Sequence, residues 1–521
     1  MSHRSIPATV LEQASSHPSD PAFVEQGVVT NYRELAEEVQ AAGRAMLAQG
    51  IVHGDRVAIW APNSKRWVVV ALAAQSVGAA IVPINTRYKM LEAAYPIVKT
   101  GAKRLFSAGG FMGIDPRATV EHLQAEREFA CEVIDIEQDA GSDGWDAFIA
   151  EGERIPKHRW RRALDAVGPG DLSDVIFTSG STGVPKGVRH LHGASVRQTF
   201  NTIAENGIER RDRYLIVNPF FHVFGYTGGW VPGLFAGCTV YPLAVFDVET
   251  VLGMIEEERI TYLPGPPTIF HSLLEHPSLD RYDVSSLRLS LTGSSDVPVD
   301  LIQRMLDRLT FERVIHAYGM TECGTATHTL AEDSARTVAT TVGVASTDLE
   351  VSVVDTHNRP VAAGTEGEIV VRGYAGVDGY FDDATATAAT IDEAGWLHTG
   401  DLGSVDEGGY FTVLGRLKDM LIVGGFNVYP AEIEDMLREY PDIEDAAVIG
   451  IPDERLGEVA CAFVIPRSGL DTEALTRWCG TRMANFKVPR RVEVVDAFPL
   501  TASNKVSKVE LRALAERKGL A

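Results

Sequence analysis

The chain has 521 residues, more than one hydrophobic core usually accommodates, so two or more domains are expected. Hydrophobic residues make up 45% and charged residues 23%, the composition of an ordinary soluble globular protein. The net charge of −23 argues against a nucleic-acid partner, because binding a phosphate backbone requires a basic face. It does not exclude a local basic pocket for a nucleotide.

The cysteines and the N-terminus predict a cytoplasmic protein. Five cysteines are scattered without C-x-x-C spacing, which is typical of reduced thiols packed in a core. The N-terminus lacks an apolar signal region. The most apolar stretch, residues 67–84, is interrupted by Gln75, Ser76 and Gly78. It therefore predicts a buried helix followed by a strand rather than an integral membrane segment.

The first hundred residues alternate between strand and helix patterns. Helices are predicted at 32–49 and 64–77, and strands at 55–60 and 79–84. This alternation predicts an α/β domain with a largely parallel sheet. Arg87 follows the last of these strands, at the kind of strand end where open α/β sheets bind ligands. A phosphate contact and a surface salt bridge are both compatible with an arginine there.

The most informative stretch is residues 177–188, FTSGSTGVPKGV, which follows an apolar run that predicts a buried strand. Its glycines let backbone N–H groups turn toward one point, its hydroxyls add donors, and Lys186 adds a mobile charge. That inventory suits a polyphosphate, although a Ser/Gly-rich linker is the alternative. The spacing differs from G-x-x-x-x-G-K-[ST], because Pro185 precedes the lysine and Gly187 follows it.

This loop resembles the signature loop of the acyl-adenylate-forming superfamily, which includes acyl-CoA synthetases, peptide-synthetase adenylation domains and luciferases. Matches recur from about residue 20 to residue 510. The resemblance implies a large α/β domain of mixed and parallel sheets flanked by helices, residues 1–416, and a small mobile α+β domain, residues 417–521. It also implies an acyl-CoA synthetase that uses ATP, Mg²⁺ and coenzyme A and releases AMP and pyrophosphate. The loop residues that it assigns to ATP are Thr178, Ser179, Gly180, Ser181, Thr182, Gly183 and Lys186.

Residues 218–229, NPFFHVFGYTGG, place aromatic residues around His222 and small residues after it. A lone histidine in an apolar stretch is usually a core residue, but the resemblance puts His222 beside the acyl carboxylate. Amino-acid-adenylating relatives carry an aspartate in this region, whereas this segment would leave an α-ammonium buried and unpaired. A simple carboxylic acid is therefore expected. The predicted acyl pocket comprises Phe221, Val223, Phe224, Gly228, Leu291 and Ala317.

Residues 314–322, VIHAYGMTE, resemble the family's adenylate site. Tyr318 offers an aromatic face for adenine, Thr321 a hydroxyl for the α-phosphate, and Glu322 a ligand for Mg²⁺, which prefers oxygen ligands shared with substrate phosphates. A strand that ends in a helix cap would also use threonine and glutamate. The glycines on both sides of Asp401 predict a tight turn, and the resemblance implies that this aspartate binds the ribose. The further nucleotide contacts that the resemblance implies are Gly293, Ser294, Ser295, His316, Ala317, Gly319 and Arg416.

The last hundred residues predict a compact α+β module with helices at 430–440 and 471–483 and strands at 445–450, 459–465 and 491–495. The resemblance makes Lys418 the hinge and Lys505 the catalytic lysine. Asn504 replaces the glycine of the family's P-x-T-x-x-G-K pattern, and asparagine tolerates the left-handed conformation that such a loop needs. The residues implied for coenzyme A are Arg87, Gly424, Gly425, Phe486 and Lys487.

Other functions remain open or are disfavoured on the sequence. His190 and His192 lack a third ligand and a neighbouring carboxylate in sequence, so no zinc site is predicted. A free-standing adenylation enzyme that loads a carrier protein is the main alternative. A kinase or ATPase is disfavoured by the loop spacing, and a non-catalytic nucleotide-binding protein by the presence of Glu322, Asp401 and Lys505. The sequence leaves a homodimer open.

The sequence also bears on the acid. Gly225, Gly228, Gly229, Ser294 and Ala317 would leave the pocket roomy, which disfavours acetate. The segments NPFFHVFGY and LPGPPTI most resemble actinobacterial synthetases that activate the propanoate side chains of steroid-ring fragments. A medium- or long-chain fatty acid is the second candidate, and an aryl acid is the third.

Overall fold

The computed structural model describes residues 5–113, 115–127, 131–139, 144–178, 184–293, 297, 299–374, 378–416, 421–428, 430–467, 469–499, 506 and 508–520. The helices are α1 (Ile6–Ser16), α2 (Tyr32–Ala48), α3 (Lys65–Ser76), α4 (Met90–Thr100), α5 (Pro116–Arg127), α6 (Trp145–Glu151), α7 (Lys157–Ala166), α8 (His192–Asn206), α9 (Val231–Ala236), α10 (Val248–Glu258), α11 (Pro267–Leu274), α12 (Val299–Arg308), α13 (Ala335–Thr340), α14 (Ala384–Thr390), α15 (Pro430–Arg438), α16 (Thr472–Arg482) and α17 (Lys508–Arg517).

The strands are β1 (Pro21–Glu25), β2 (Val28–Asn31), β3 (Arg56–Trp60), β4 (Ala80–Pro83), β5 (Arg104–Ser107), β6 (Glu132–Asp135), β7 (Leu172–Thr178), β8 (Lys186–Leu191), β9 (Arg213–Ile216), β10 (Thr239–Pro242), β11 (Leu289–Gly293), β12 (Arg313–Met320), β13 (Gly324–His328), β14 (Val344–Ala345), β15 (Leu349–Val354), β16 (Gly367–Gly373), β17 (Leu397–Val405), β18 (Phe411–Arg416), β19 (Leu421–Val423), β20 (Phe426–Val428), β21 (Ile443–Asp453), β22 (Gly457–Pro466) and β23 (Arg491–Val494).

These strands form a large N-terminal part and a smaller C-terminal part. One sheet has the order β6-β5-β3-β4-β7-β8 and is parallel except for its last pair. A second runs β2-β1-β10-β9 and continues, through bridges made by Tyr262, into β11-β12-β13-β14. The strands β15 to β18 form an antiparallel sheet, and β20-β19-β22-β21 with β23 form the C-terminal sheet. This confirms the predicted α/β class with mixed sheets and a small α+β module.

Helix α3 explains how the N-terminal core is assembled. The Ser64 side chain accepts a hydrogen bond from the Trp67 backbone and caps the helix, and residues 67–76 are buried on every face. A helix that is apolar all round lies inside a core. The Trp67 ring packs against the rings of Phe220, Tyr226 and Trp230. The predicted buried helix followed by a strand is therefore confirmed.

Within the part of the chain that the structure describes, no helix combines the length and apolar character needed to span a membrane. All five cysteines are buried. The predicted boundary between residues 416 and 417 falls between β18 and β19, next to residues 417–420, which lie outside the described residues, so it stays a prediction. The helices predicted at 430–440 and 471–483 are observed as α15 and α16.

Buried apolar side chains continue from one part of the molecule into the other. Val82, Ile84 and Tyr88, on β4 and just after it, belong to the same hydrophobic cluster as Phe486 and Val488 of the C-terminal module. The carboxyl end of β4 therefore lies at the contact between the two parts. Residues of both parts line the cleft that forms there.

Candidate active site

The glycine-rich loop joins two antiparallel strands. Strand β7 pairs with β8 so that Thr178 lies opposite Lys186 at the end of the hairpin. Residues 179–183, to which ATP contacts were assigned, lie outside the described residues. A strand–loop–strand hairpin differs from the strand–loop–helix unit of common NTPases, in agreement with the unusual spacing. The loop therefore connects the paired ends of β7 and β8.

The lysine of this loop points toward a tyrosine that the sequence did not single out. Lys186 Nζ lies 5.0 Å from the centre of the Tyr380 ring, within cation–π range. The Tyr380 hydroxyl donates a hydrogen bond of 2.9 Å to Glu322 Oε1, and both side chains are buried. Tyr380 is held against β8, because Phe381 N–H donates to the Gly187 carbonyl at 2.7 Å. No spacing signal relates Tyr380 to Glu322, which lies 58 residues earlier in the chain.

His190 is a second site residue that the sequence did not identify. In the hairpin register it lies opposite Asp174, and its Nδ1 is 2.5 Å from Asp174 Oδ1. Its Nε2 is 2.7 Å from the backbone carbonyl of Thr321. Both partners are acceptors, so both ring nitrogens carry protons. Burial works to lower the pKa of His190, but the charge of Asp174 and the two hydrogen bonds outweigh it and raise the pKa above its ordinary value.

These contacts fix the two residues that were predicted to act on the phosphate and the metal. Thr321 is held through its carbonyl by His190, and Glu322 through its carboxylate by Tyr380. The sequence suggested that no carboxylate lies near His190. That was wrong in three dimensions, because the hairpin register brings Asp174 to it across 16 residues.

The residues predicted to bind the nucleotide lie at the neighbouring ends of two parallel strands. Gly293 of β11 pairs with Ala317 of β12, and His316 precedes it with Nδ1 2.8 Å from the Val338 carbonyl. Gly319 and Tyr318 continue β12. The carboxyl ends of parallel strands are where such sheets bind ligands. Ser294 and Ser295, which follow Gly293, lie outside the described residues.

Asp401 lies inside a strand, not on the tight turn that the flanking glycines predicted. It belongs to β17 and pairs with Arg416 of β18, whose side chain is outside the described residues. Of the two flanking glycines, Gly400 has a left-handed φ of 72° and Gly403 does not. The Tyr318 hydroxyl donates a 2.6 Å hydrogen bond to Asp401 Oδ2. Burial and this carboxylate raise the pKa of Tyr318, which keeps the phenol protonated.

His222 is a neutral histidine in a buried wall. Burial lowers its pKa to about 4. Its Nδ1 accepts a hydrogen bond of 3.2 Å from the Phe224 backbone, so the remaining proton is on Nε2. Within residues 218–229, a β-carbon at Gly225 would meet the backbone carbonyl of Asn218, so that glycine is required by the turn rather than by a roomy pocket. His222 therefore offers an uncharged N–H donor.

Two cavities lie on either side of this wall, and we call them cavity A and cavity B. Cavity A is an open cleft with about 660 Å³ of empty space, its mouth included, and its described lining includes Asn85, Thr178, Phe221, His222, Phe426 and Phe486. Cavity B is also open to solvent, with about 420 Å³ of empty space, its mouth included, and its described lining includes His190, Ser195, Gln198, Val223, Thr227 and Gly324. Thr321 lines both cavities. The two cavities therefore share this threonine.

Only part of the predicted acyl pocket lines these cavities. Val223 lies in cavity B, whereas Phe221 lies in cavity A. The other predicted pocket residues, Phe224, Gly228, Leu291 and Ala317, are absent from the described lining of both. Leu291 belongs to the N-terminal core, and Phe224 and Ala317 pack against it. Helix α8, which the sequence did not connect with the acyl group, supplies one wall of cavity B instead.

The C-terminal module reaches cavity A through aromatic and charged side chains. Gly424 and Gly425 form the left-handed turn between β19 and β20, with φ of 56° and 83°. The Phe426 ring that follows stacks on Phe486 with centres 4.5 Å apart, and the Arg87 guanidinium lies 4.6 Å from the centre of the Phe426 ring. A β-carbon at Gly425 would contact Pro266 of the N-terminal part at 3.5 Å.

Lys487 is buried where the C-terminal module meets the N-terminal part, and its charge is paired with two carboxylates. Its Nζ lies 3.0 Å from Glu92 Oε1 of α4 and 2.5 Å from Glu432 Oε1 of α15. Burial opposes its charge, but Tyr88 and the two carboxylates outweigh that cost and raise the pKa of Lys487. Lys487 therefore joins the two parts of the chain in this arrangement, and its predicted contact with coenzyme A stays a prediction.

Lys418 and Lys505, the predicted hinge and catalytic lysine, lie outside the described residues. The described site therefore consists of the hairpin, the ends of β11 and β12, Asp401, and the two cavities that meet at Thr321. It combines the neighbouring ends of β11 and β12 with two cavities that share Thr321.

Comparisons with known proteins agree with this arrangement. The family model described as AMP-binding enzyme matches residues 10–381, and that described as AMP-binding enzyme C-terminal domain matches residues 432–505. A 3-[(3aS,4S,7aS)-7a-methyl-1,5-dioxo-octahydro-1H-inden-4-yl]propanoyl:CoA ligase of Mycobacterium tuberculosis is 44% identical over 516 residues, which cover 98% of this chain and 99% of the relative.

Two solved structures are similar over nearly the whole chain. A double mutant of o-succinylbenzoate CoA synthetase from Bacillus subtilis, bound with its product analogue OSB-NCoA, has a TM-score of 0.86 at 26% identity, with 98% of this chain and 99% of that chain covered. ATP-bound MatB from Rhodopseudomonas palustris has a TM-score of 0.70 at 27% identity, with the same coverage. This chain therefore belongs to the AMP-binding enzyme family and, within it, to the acyl-CoA synthetases, which use ATP to join a carboxylic acid to coenzyme A.

Proposed function

We propose that this synthetase acts on a ring-bearing propanoic acid in two steps. The carboxylate attacks the α-phosphate of ATP and displaces pyrophosphate, and the CoA thiolate then attacks the acyl carbon and displaces AMP. The observation that carries the proposal is the meeting of cavity A and cavity B at Thr321. It supports a reaction centre that the acid and the thiol reach from opposite sides.

Cavity B suits the acyl group and cavity A suits the pantetheine arm of CoA. Cavity B is lined by Val223 and Cys323 together with the polar side chains of Ser195 and Gln198 on α8. Cavity A is lined by Phe426 and Phe486 of the C-terminal module, and Arg87 lies over Phe426. We assign Arg87, Gly424, Gly425, Phe486 and Lys487 to the CoA path, in which the glycine turn leaves room beside Pro266.

In the first step two anions must meet, so the site has to stabilise negative charge. We assign the backbone of residues 179–183 and Lys186 to the phosphates of ATP, the Thr321 hydroxyl to the α-phosphate, and Lys505 to the carboxylate and the α-phosphate. His222 is neutral and presents Nε2–H, which suits a carboxylate or carbonyl oxygen. We assign adenine to Gly293, Ser294, Ser295, His316, Ala317, Tyr318 and Gly319. We assign the ribose to Asp401 and Arg416.

Glu322 fits a magnesium ion that accompanies ATP. Its Oε1 accepts the Tyr380 hydrogen bond, and Oε2 has no hydrogen-bond partner among the described residues, although the side chain is buried. Mg²⁺ is commonly held by one or two carboxylates together with substrate phosphates. When bound at Glu322 the ion would neutralise charge on the phosphates. Tyr380 and His190 would keep Glu322 and Thr321 oriented whether or not the ion is present.

We further propose that residues 417–521 rotate about Lys418 against residues 1–416 between the two steps. In the present arrangement Phe426 and Phe486 of the C-terminal module line cavity A beside Asn85. This placement supports the view that the present arrangement belongs to the CoA-dependent step. Rotation would remove Lys505 and place Phe426 and Phe486 on cavity A.

The relative that is 44% identical, an indanyl-propanoyl:CoA ligase, supports a bicyclic propanoate of the kind formed in steroid catabolism. A medium- or long-chain fatty acid is the second candidate. A carrier protein is the alternative acceptor to CoA. The lining of cavity A by Phe426 and Phe486 of the C-terminal module favours CoA. We also propose a cytoplasmic location, which the buried cysteines support.

Product analysis tests the proposal. The enzyme is incubated with ATP, Mg²⁺ and a panel of fatty, aryl and indane-propanoic acids, each with and without CoA. We expect AMP, pyrophosphate and an acyl-CoA, with the largest kcat/KM for an indane propanoate. A thioester formed only with fatty acids would overturn the substrate class, and pyrophosphate exchange without a thioester would favour a carrier protein.

A further inference from the structure

Helix α8 presents two polar side chains to cavity B, Ser195 and Gln198. Ser195 is 3% exposed, and its hydroxyl forms no hydrogen bond with any described residue. The Gln198 amide likewise has no hydrogen-bond partner in the described part of the chain. Neighbours on the same helix do have partners, since Asn201 donates to the Thr347 carbonyl and Arg197 pairs with Asp348. The two groups that face the cavity therefore have no hydrogen-bond partner among the described residues and are available to a ligand.

The Gln198 amide lies directly against the segment that carries the reaction centre. A β-carbon at Gly324 would overlap the Gln198 amide, and the φ of 63° at Gly324 favours glycine. Gly324 follows Glu322 by two residues, and both line cavity B. The amide thus lies close to the place where the acyl group would enter.

The cationic groups around cavity B are already paired, and its remaining charged group is the Glu322 carboxylate. Arg189 pairs with Asp378 at 2.7 Å, and His190 lies between Asp174 and the Thr321 carbonyl. Thr227 also lines the cavity, but it donates its hydroxyl to the Val223 carbonyl at 3.3 Å. An anionic tail would find no free cation among the described lining residues, whereas an uncharged oxygen would find the N–H of Gln198 and the O–H of Ser195 as donors. Leaving such groups unpaired in a filled, dry cavity is unfavourable.

We propose that Ser195 and Gln198 form a subsite that selects acids whose acyl group carries an uncharged oxygen, a ketone or a hydroxyl. This deepens the proposed function and rests on cavity B being the acyl site. The amide N–H of Gln198 and the hydroxyl of Ser195 donate to the oxygen, while Val223 and Cys323 contact the carbon skeleton. A saturated hydrocarbon acid of the same shape leaves both donors unpaired and is selected against.

The test measures kcat/KM for matched acids, using acid-dependent AMP formation. One pair is an indane propanoate with and without ring ketones, and the other is an oxo-octanoate and octanoate. The wild type should prefer the oxygenated member of whichever pair it accepts by about tenfold, the value expected of one or two hydrogen bonds. Gln198→Leu and Ser195→Ala should lower kcat/KM for the oxygenated acid about tenfold and leave or raise that for its hydrocarbon partner.

Gln303→Leu on α12 is the control, because Gln303 is exposed and contacts only Asp307 at 3.0 Å among the described residues. It should change neither acid's kcat/KM. Equal rates with oxygenated and hydrocarbon acids, or an equal loss for both in the α8 variants, would overturn the subsite while leaving the synthetase assignment intact. Preference for oxo-octanoate without activity on either indane acid would support the subsite and overturn the ring-bearing substrate. Activity on none of the four would overturn both.

Discussion

Cavity B and cavity A are built in different ways, although both reach Thr321. Cavity B is bounded by elements of the N-terminal part that hydrogen bonds hold together: Asp174 and His190 across a hairpin, and Tyr380 on Glu322. Cavity A is bounded on one side by β4 and on the other by Phe426 and Phe486 of the C-terminal module. Under the proposed assignment of the cavities, the acid would be held by a wall within the N-terminal part, and the thiol by a wall that the proposed rotation removes.

We expect the largest effect from Lys505→Ala. Lys505 belongs to the C-terminal module, which we propose rotates, but it is assigned to the adenylation step in the N-terminal part. We expect adenylation to fall by roughly 10²- to 10³-fold, as when one charge-stabilising group is lost. Thioester formation from supplied acyl-adenylate should be nearly unchanged, since it does not use this lysine. Stopped-flow measurement of the two half-reactions checks it, with Lys518→Ala, whose partner is Glu493, as the control. Equal loss in both steps would refute the assignment.

Lys487→Met tests the contact between the C-terminal module and the N-terminal part beside cavity A. It would leave Glu92 and Glu432 without their buried cation, and breaking a buried ion pair in this way costs about 3 kcal/mol. We expect a lower melting temperature and a slower CoA-dependent step, with ATP–pyrophosphate exchange retained.

Lys103→Met is the matched control, because Lys103 pairs with Asp55 on the surface and such pairs contribute little. Loss of pyrophosphate exchange in Lys487→Met under conditions where the variant remains folded would show that Lys487 acts in the adenylation step instead.

Tyr380→Phe tests the hydrogen bond that orients Glu322 beside cavity B. It removes one hydrogen bond to the Glu322 carboxylate while keeping the ring under Lys186. A hydrogen bond to a charged group contributes about 1.5–3 kcal/mol, so adenylation should slow by at least about tenfold. The Mg²⁺ concentration needed for half-maximal rate should rise. Tyr410→Phe, which loses a 2.7 Å hydrogen bond to Asp333 far from the site, should alter neither quantity.

The smallest expected effect is a pH dependence at His190. Its pKa is raised in the folded protein, so its stabilising contribution is fully present below the unfolded pKa of about 6.5 and is lost as pH rises through the folded value. His190→Asn should lower the free energy of unfolding by about 1 kcal/mol at pH 6 and by less at pH 9.

Denaturant titrations at several pH values check this prediction for His190. The exposed His357, changed to asparagine, serves as the control because its side chain is 72% exposed. A loss of stability in His190→Asn that is independent of pH would mean that the imidazole is neutral in the folded enzyme and donates only one of its two hydrogen bonds.

Local patterns predicted the elements well where one physical signal dominates. Helix α2 begins after Asn31, which forms a capping box with Glu34, and α3 is apolar on every face. The Thr321–Glu322 pair was identified through its motif at the end of a strand. The sequence could not show the partners of these residues, because they depend on strand register and on segments far away in the chain, as the Tyr380 contact with Glu322 does.

Glycine was the least reliable guide to the site. The glycines around Asp401 suggested a turn, but only Gly400 has a positive φ and the aspartate lies in β17. Gly225 was expected to make room for a substrate. In the structure a β-carbon at this position would collide with the Asn218 carbonyl, so the glycine makes room for the backbone instead. A glycine shows that something lies close to the backbone without showing whether that is solvent, ligand or another part of the chain.

The most direct test of the two-sided site is to obstruct each cavity in turn. Ala194→Phe adds bulk to cavity B and Asn85→Phe adds bulk to cavity A, and both positions are half-buried. With an indane propanoate, pyrophosphate exchange and thioester formation from supplied acyl-adenylate are measured for each folded variant. We predict that Ala194→Phe loses pyrophosphate exchange, whereas Asn85→Phe retains it and loses thioester formation. Loss of the same half-reaction in both variants would contradict separate approaches to Thr321.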